Sequence, residues 1–317
     1  MGLYYVAHRL FSAHDRALGA YVAQRLACRV GAGAVFLPFC DTDEENLTAA
    51  CKGRRLFELD GERLRRIDGM LALLHGPSLD DGVCMEIGYA AALGVPVVAL
   101  TTDFQTYGLS CDRSNLTFAD PLLDMLVTEV VRVHRLGPPG ESTADRFGAF
   151  LERNLQTVRT AADQAVTALL NAKPPTSASH ATVAVEARRA FVEPSPYLPS
   201  DLWRGAVGML TARGWEVHVA RRFHDVADPR EAARRDWAAC WDARLALIDV
   251  SGPETPPGAA IITGASAATG RQVLAAELGR WWTFADGREP NWRNLMIQYA
   301  ISGSFATLSE LAALVGP

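Results

Sequence analysis

The chain has no CxxC pair, no HxxxH motif and no His/Cys cluster, although it holds six cysteines (Cys28, Cys40, Cys51, Cys84, Cys111 and Cys240) and seven histidines. Thiols scattered in this way argue against a disulfide framework and against a structural zinc site. There is also no Lys/Arg run, and the net charge is −5. Without a basic footprint, nucleic acid is not an expected partner. Nor does any apolar run approach the roughly 18 residues of a membrane span, and the first residues do not read as a charged region ahead of a signal-peptide core. The expectation is a cytoplasmic protein with no membrane partner, no metal and no cofactor. What the chain does have is apolar material: 49% of its 317 residues are hydrophobic. That is enough for sizeable cores, and the length favours two domains.

Short apolar runs alternate with segments of helical spacing. Residues 3–7, 34–38, 70–74 and 95–100 read as strands, and 13–28, 57–67 and 86–93 as helices. Strands alternating with helices imply an α/β fold with a doubly wound parallel sheet, flavodoxin- or Rossmann-like. Ligands of such sheets sit beyond the carboxyl ends of the strands. His8 and Arg9 follow the first strand. Asp80 and Glu86, in the stretch DDGVCMEIGYAAALG (80–94), follow the third. A helix is expected over 142–170, and the polar, proline-bearing stretch from Lys173 reads as a linker. The expected units are 1–172 and 181–317, joined by 173–180.

The second half repeats the opening order, with strands at Thr182–Val185, Trp215–Ala220 and Leu245–Val250 and helices at Asp201–Ala212 and Arg230–Trp241. The segment beginning at Asp68 overlays on that at Asp242. The segment beginning at Gly82 overlays on that at Gly258, which sets Gly88 on Gly264, Gly94 on Gly270 and Glu86 on Ile262. The pattern reads as a tandem duplication whose second copy lacks the carboxylate.

Tyr5 in the first strand, Phe11-Ser12 after it, Asp60, the segment DDGVCMEIG, Gly94 and Asn294-Leu295-Met296 together resemble the nucleoside 2-deoxyribosyltransferases, a family that includes nucleotide N-glycosidases. The resemblance covers residues 3–118 and, in the second half, mainly NLMIQYA. It implies that Glu86 attacks the anomeric carbon to form a covalent glycosyl-enzyme. It further implies that Asp60 and Asp80 hold the base, one of them supplying a proton, and that Tyr5 orients Glu86. Gly82 and Phe11 belong with the substrate. Asn294 and Met296 reach the sugar from the second copy, so the two domains are expected to pack as an intrachain pseudo-dimer around one working pocket. Asn115-Leu116-Thr117 is the corresponding place in the first copy. No cofactor is implied. The expected partners are a nucleoside or nucleotide and an acceptor base, with association into a homo-oligomer left open.

The residues also admit plainer readings. Glu86 can be an acidic first-turn cap, whereas as a nucleophile it is kept ionised by the dipole of the helix it starts; Asp80 and Asp81 can be turn formers, and Tyr5 and Cys84 core. Many family members carry Gly-Pro where this chain has His8-Arg9; a cation there can bind a 5′-phosphate or pair with an acid. The expected function is N-glycosidic cleavage with transfer of the sugar to another base or to water. The alternatives are a noncatalytic nucleotide-sensing module and a nicotinamide-dependent oxidoreductase using TGASAATG (263–270).

Overall fold

Apolar runs too short for helices pair here as strands, and every ladder between them is parallel. The computed structural model describes residues 2–316 apart from 43, 45, 49–50, 77, 111–115, 134–144, 175–187, 195–197, 225–226, 280–281 and 285–288. The first unit runs β1 (Tyr4–Ala7), α1 (Ala13–Val30), β2 (Val35–Phe36), α2 (Lys52–Leu64), β3 (Gly69–Leu73), α3 (Asp81–Ala92), β4 (Val97–Thr101), α4 (Pro121–Leu126), β5 (Glu129–Arg132) and α5 (Arg146–Asn171). The second runs β6 (Arg189–Val192), α6 (Ser200–Ala212), β7 (Glu216–Val219), α7 (Pro229–Asp242), β8 (Leu245–Asp249), α8 (Pro257–Thr269), β9 (Gln272–Ala276), α9 (Leu295–Ala300), β10 (Gly303–Phe305) and α10 (Leu308–Val315). The first sheet is ordered β2-β1-β3-β4-β5 and the second β7-β6-β8-β9-β10, the same topology twice. No described helix is long and apolar enough to cross a membrane.

Central strands β3 and β4 are buried along their whole length. One of their faces packs on α1 and α5. The other meets α3, and here the units join, because a single apolar core runs from the first sheet through α3 and α8 to the second. Small residues let these two helices approach closely. A Cβ on Gly88 would collide with the carbonyl of Ile261, and one on Gly264 with the carbonyl of Met85. Since Gly88 overlays on Gly264 and Met85 on Ile261, the contact is made twice by an approximate two-fold. Both helices run out into a glycine of left-handed backbone, Gly94 at φ 73° and Gly270 at φ 68°, which ends a helix without steric cost.

Several expectations move. α3 begins at Asp81 and not at Glu86, because Asp80 caps it, accepting the Val83 N–H at 2.9 Å. α2 begins at Lys52. A fifth strand, β5, was not expected after β4. Asn294-Leu295-Met296 opens helix α9, and TGASAATG lies inside α8 and at its end. The strand expected at 182–185 and most of the linker expected at 173–180 lie outside the described residues, and the first described strand of the second unit is β6. The overlay at Asp68 slips by two residues, since Val97 pairs Met70 and Met70 pairs Tyr5, while Val273 pairs Ala246 and Ala246 pairs Phe191. Tyr5 therefore corresponds to Phe191.

The glycine contact makes a direct prediction. Gly88→Ala or Gly264→Ala forces backbone apart in a packed interior, and overpacking of this kind costs about 1–3 kcal/mol. Chemical denaturation should show a lower midpoint with an unchanged slope; an unchanged midpoint removes this account of the interface.

Candidate functional site

The reversal of strand order around β1 and β3 opens a crevice at their carboxyl ends. A cavity of about 290 Å³ lies there, lined by His8, Phe11, Asp60, Asp80, Gly82 and Glu86 from the first unit and by Trp292, Arg293, Asn294 and Met296 from the second. Of the ten residues expected at the site, eight line this cavity. Tyr5 and Arg9 stand behind its wall, each bonded to a lining carboxylate.

Glu86 sits in the second turn of α3, buried except where it faces the cavity. The Tyr5 hydroxyl donates to its Oε1 at 2.6 Å. This position overturns the expectation of a first-turn residue kept ionised by the helix dipole. Burial, then the charges of Asp60 and Asp80, push the Glu86 carboxyl well above the usual range, and only the Tyr5 hydrogen bond pulls it back. Asp60, on α2, is pushed up to about 8 by burial and by Glu44, and its Oδ1 is buried with no hydrogen-bond partner. Burial therefore shifts both carboxyls toward the protonated form. Of the two, Glu86 has a hydroxyl donor, which favours its ionised form.

Asp80 is committed twice, to the Val83 N–H and to Arg9, whose Nε lies 3.5 Å from Asp80 Oδ2. Arg9 also meets Glu254 at 3.5 Å and the Ser78 carbonyl at 3.1 Å. Of the two readings of Arg9, the structure holds the ion pair. His8 packs its ring on Gly19, and burial lowers its pKa, leaving a neutral imidazole. Phe11 is 65% exposed at the mouth. The side-chain nitrogen of Asn294 lies 2.5 Å from where a Cβ on Gly82 would stand, so only glycine admits the second unit's amide there. Sequence reasoning did not assign Asp81, whose carboxylate accepts the Thr255 N–H of the second unit at 3.1 Å and is pushed up to about 7 by burial and by Asp80. Its signal was the acidic doublet itself. Trp292, Arg293 and Glu289 lay in a segment without a motif.

The approximate two-fold exposes a further correction. Asn294 caps α9, accepting the Met296 N–H at 3.0 Å; Asp120 caps α4 in the same way, accepting the Leu122 N–H at 2.8 Å. Asp120, and not Asn115, is therefore the first unit's counterpart of Asn294; Asn115 itself lies outside the described residues. Asp120 reaches into the second unit, where Gly258 stands in the place of Gly82. That place is filled. The Arg222 guanidinium, fully buried, forms two hydrogen bonds to Asp120 at 2.8 and 3.0 Å, bonds Glu193 through two nitrogens, and lies 3.6 Å from Asp236. Asp236 on α7 matches Asp60 on α2. Tyr5 and Glu86 are matched by Phe191 and Ile262, so both ends of their hydrogen bond have become apolar together, a change that leaves no polar group stranded.

These features define an α/β protein in which two like units build one acid-lined cavity from both their surfaces and fill the other with an arginine. Residues 4–120 match the family model described as Nucleoside 2-deoxyribosyltransferase. Among solved structures, a conserved protein from Enterococcus faecalis V583 is 27% identical, covers 49% of this chain and 98% of its own, and has a TM-score of 0.33. A 2-deoxyribosyltransferase from Bacillus psychrosaccharolyticus is 18% identical, covers 37% of this chain and 85% of its own, and has a TM-score of 0.29. No curated protein matches the chain.

Removing one partner from a buried ion cluster leaves uncompensated charge, at a cost of about 3–5 kcal/mol. Arg222→Met strands Asp120, Glu193 and Asp236 and should lower the unfolding free energy by that amount. A change under ~1 kcal/mol, within the range of surface pairs, would mean the cluster does not hold the units together.

Proposed function

We propose that the chain is a cytoplasmic enzyme that cleaves the N-glycosidic bond of a nucleoside, passing the sugar from the base to Glu86 and then to a second base or to water. The observation that carries this reading is the pairing of Glu86, bonded to Tyr5 at 2.6 Å, with an Asp60 whose Oδ1 has no partner, both on one cavity. In the first step a Glu86 carboxylate oxygen forms a bond to the anomeric carbon as the bond to the base nitrogen breaks. The base nitrogen takes the Asp60 proton. In the second, the acceptor's nitrogen or oxygen attacks the same carbon, its proton returns to Asp60, and the Glu86 carboxylate is released. Tyr5 holds the attacking oxygen in line and stays protonated, because burial first and the Glu86 charge next raise its pKa.

Asp80, tied to Val83 and Arg9, is suited to holding the base. Asn294 and Met296 are suited to holding the sugar, and Phe11 and Gly82 to shaping the cavity around it. Arg9 is paired to two carboxylates and His8 is neutral, so the His8–Arg9 end offers a 5′-phosphate no free cation, whereas Arg293 on the cavity wall keeps an Nη2 without a hydrogen-bond partner. The unit over 1–172 then supplies the chemistry, and the unit over 181–317, joined through 173–180, completes the pocket. TGASAATG is packed inside α8 and at its end, with Gly264 against Met85; it forms no strand-to-helix turn, and the oxidoreductase reading loses its support. A sensor would gain nothing from burying Tyr5, Glu86 and Asp60 together.

Incubation with a panel of nucleosides and 5′-nucleotides, with and without an acceptor base, should release free base from nucleosides, followed by chromatography. Glu86→Ala should abolish release while leaving the fold intact, and a slow 2-fluoro sugar analogue should leave its adduct on Glu86 by mass spectrometry. Asn294→Ala should lower turnover about tenfold or more through lost positioning of the sugar. An adduct on another residue, or undiminished release by the Glu86 variant, contradicts the mechanism.

Asp60 sets the pH dependence. Its proton is available below about 8 and lost above it, so release should fall as pH rises through that value, and Asp60→Asn should abolish the limb along with most of the rate. The same shift acts on stability with a definite sign. An unfolded-chain aspartate titrates near ~3.9, so from there up to about 8 the folded state binds the extra proton and stability falls as pH rises. Asp60→Asn should flatten that decline. A rate that climbs through pH 8 would assign the proton to another group.

A further inference from the structure

Helix α2 carries Asp60 but has no cap of its own. Its N-cap residue, Cys51, makes no side-chain bond to the first turn, and the first N–H groups of a helix need partners from outside. They find them in the other unit. Glu289 accepts the Lys52 N–H through Oε2 at 3.2 Å and the Gly53 N–H through Oε1 at 2.7 Å. The Cys51 thiol and the Tyr299 hydroxyl point at the same Oε1 from 3.3 and 3.4 Å. Burial raises the Glu289 pKa, but the backbone and thiol hydrogen bonds outweigh it and hold the carboxyl below its ordinary value. A Cβ on Gly53 would stand only 3.0 Å from Glu289 Oε1, so glycine is what lets the carboxylate come so near. Tyr299 completes the grip on α2, with its ring 6.1 Å from that of Phe57 and under the Arg54 guanidinium at 4.9 Å.

We propose that Glu289 is a positioning residue for the reaction: a carboxylate of the second unit that caps α2 of the first and so fixes where Asp60 stands in the cavity. Asp60 Oδ1 has no hydrogen bond of its own, so the place of its carboxyl is set by the helix that bears it. Asp60 lies eight residues, about 12 Å of helix, from the capped end. A carboxylate at a helix N-terminus gains from both the unpaired N–H groups and the dipole. Glu289 also lines the cavity, on the segment that leads to Asn294, so one side chain ties the proton donor's helix to the residues assigned to the sugar. The side chains that face Glu289 are the neutral donors Cys51 and Tyr299. The proposal rests on the assignment of Asp60 as proton donor.

The test pairs a loss with a rescue. Glu289→Ala should lower kcat for base release about tenfold with little change in KM, move the upper pH limb below its native position, and speed amide exchange at Lys52 and Gly53 by tenfold or more. Cys51→Asp supplies α2 with a cap from its own chain and, added to Glu289→Ala, should restore protection, the pH limb and most of the rate. Titration of the Asp60 carboxyl by NMR gives a readout that needs no turnover: its midpoint should fall in Glu289→Ala and recover in the double variant, whether or not nucleosides prove to be substrates. An unchanged Asp60 midpoint in Glu289→Ala, or protection regained in the double variant without recovery of that midpoint, overturns the proposal.

Discussion

The approach of α3 to α8 across Gly88 and Gly264 is the constraint from which the rest follows. Each glycine lies against a backbone carbonyl of the facing helix, Ile261 for one and Met85 for the other, at a spacing no side chain allows. Because the helices meet so closely, the apolar faces of two sheets share one core. The N-terminus of each helix is then covered by the other unit's capping residue: Asn294 over Gly82, Asp120 over Gly258. A domain of this kind standing alone would leave the cavity open on the side where Trp292, Arg293 and Asn294 now stand.

The two-fold is approximate, and charge is where it breaks. At the first site the buried acids Asp60, Asp80, Asp81 and Glu86 raise one another's pKa values or are raised by burial, and the protein supplies Glu86 with a hydroxyl donor and Asp60 with none. Unmet polar capacity on a cavity wall is the condition under which a carboxyl group differs from its neighbour in protonation, as an acid and a nucleophile must. At the second site Arg222 satisfies Asp120 and Glu193 from within the chain, and Phe191 with Ile262 replaces the Tyr5–Glu86 pair. One site is therefore held ready and the other is closed by its own arginine. The closed site still contributes to the open one, since the ion cluster joins α4 to the second unit as Glu289 joins α2 to it.

How much of this was legible in the sequence depended on the range of the interaction concerned. Fully buried strands read clearly, because a parallel strand covered on both faces must be apolar throughout, as β3 and β4 are. Glu86 and Asp80 were legible because two carboxylates at the end of a strand stand out against apolar surroundings. Helix starts were not: nothing in the run before Phe57 shows that a carboxylate more than two hundred residues away caps Lys52 and Gly53. Strand β5, with its exposed and half-buried residues, carried too weak a pattern to find. Asn115 was matched to Asn294 by residue type, whereas the cap at Asp120 is fixed by its place before α4.

By itself the sequence determined the repeated α/β order, the parallel sheets and the nucleophile candidate, all of which follow from local periodicity and from residue types a few positions apart. Only the tertiary structure decided which groups are charged. Whether Arg9 is free or paired, how far the Glu86 and Asp60 carboxyls are raised, and whether the second pocket is open or filled are matters of burial and of neighbours brought from the other unit. Electrostatic energy depends on distance and dielectric, and neither is written in the order of the residues.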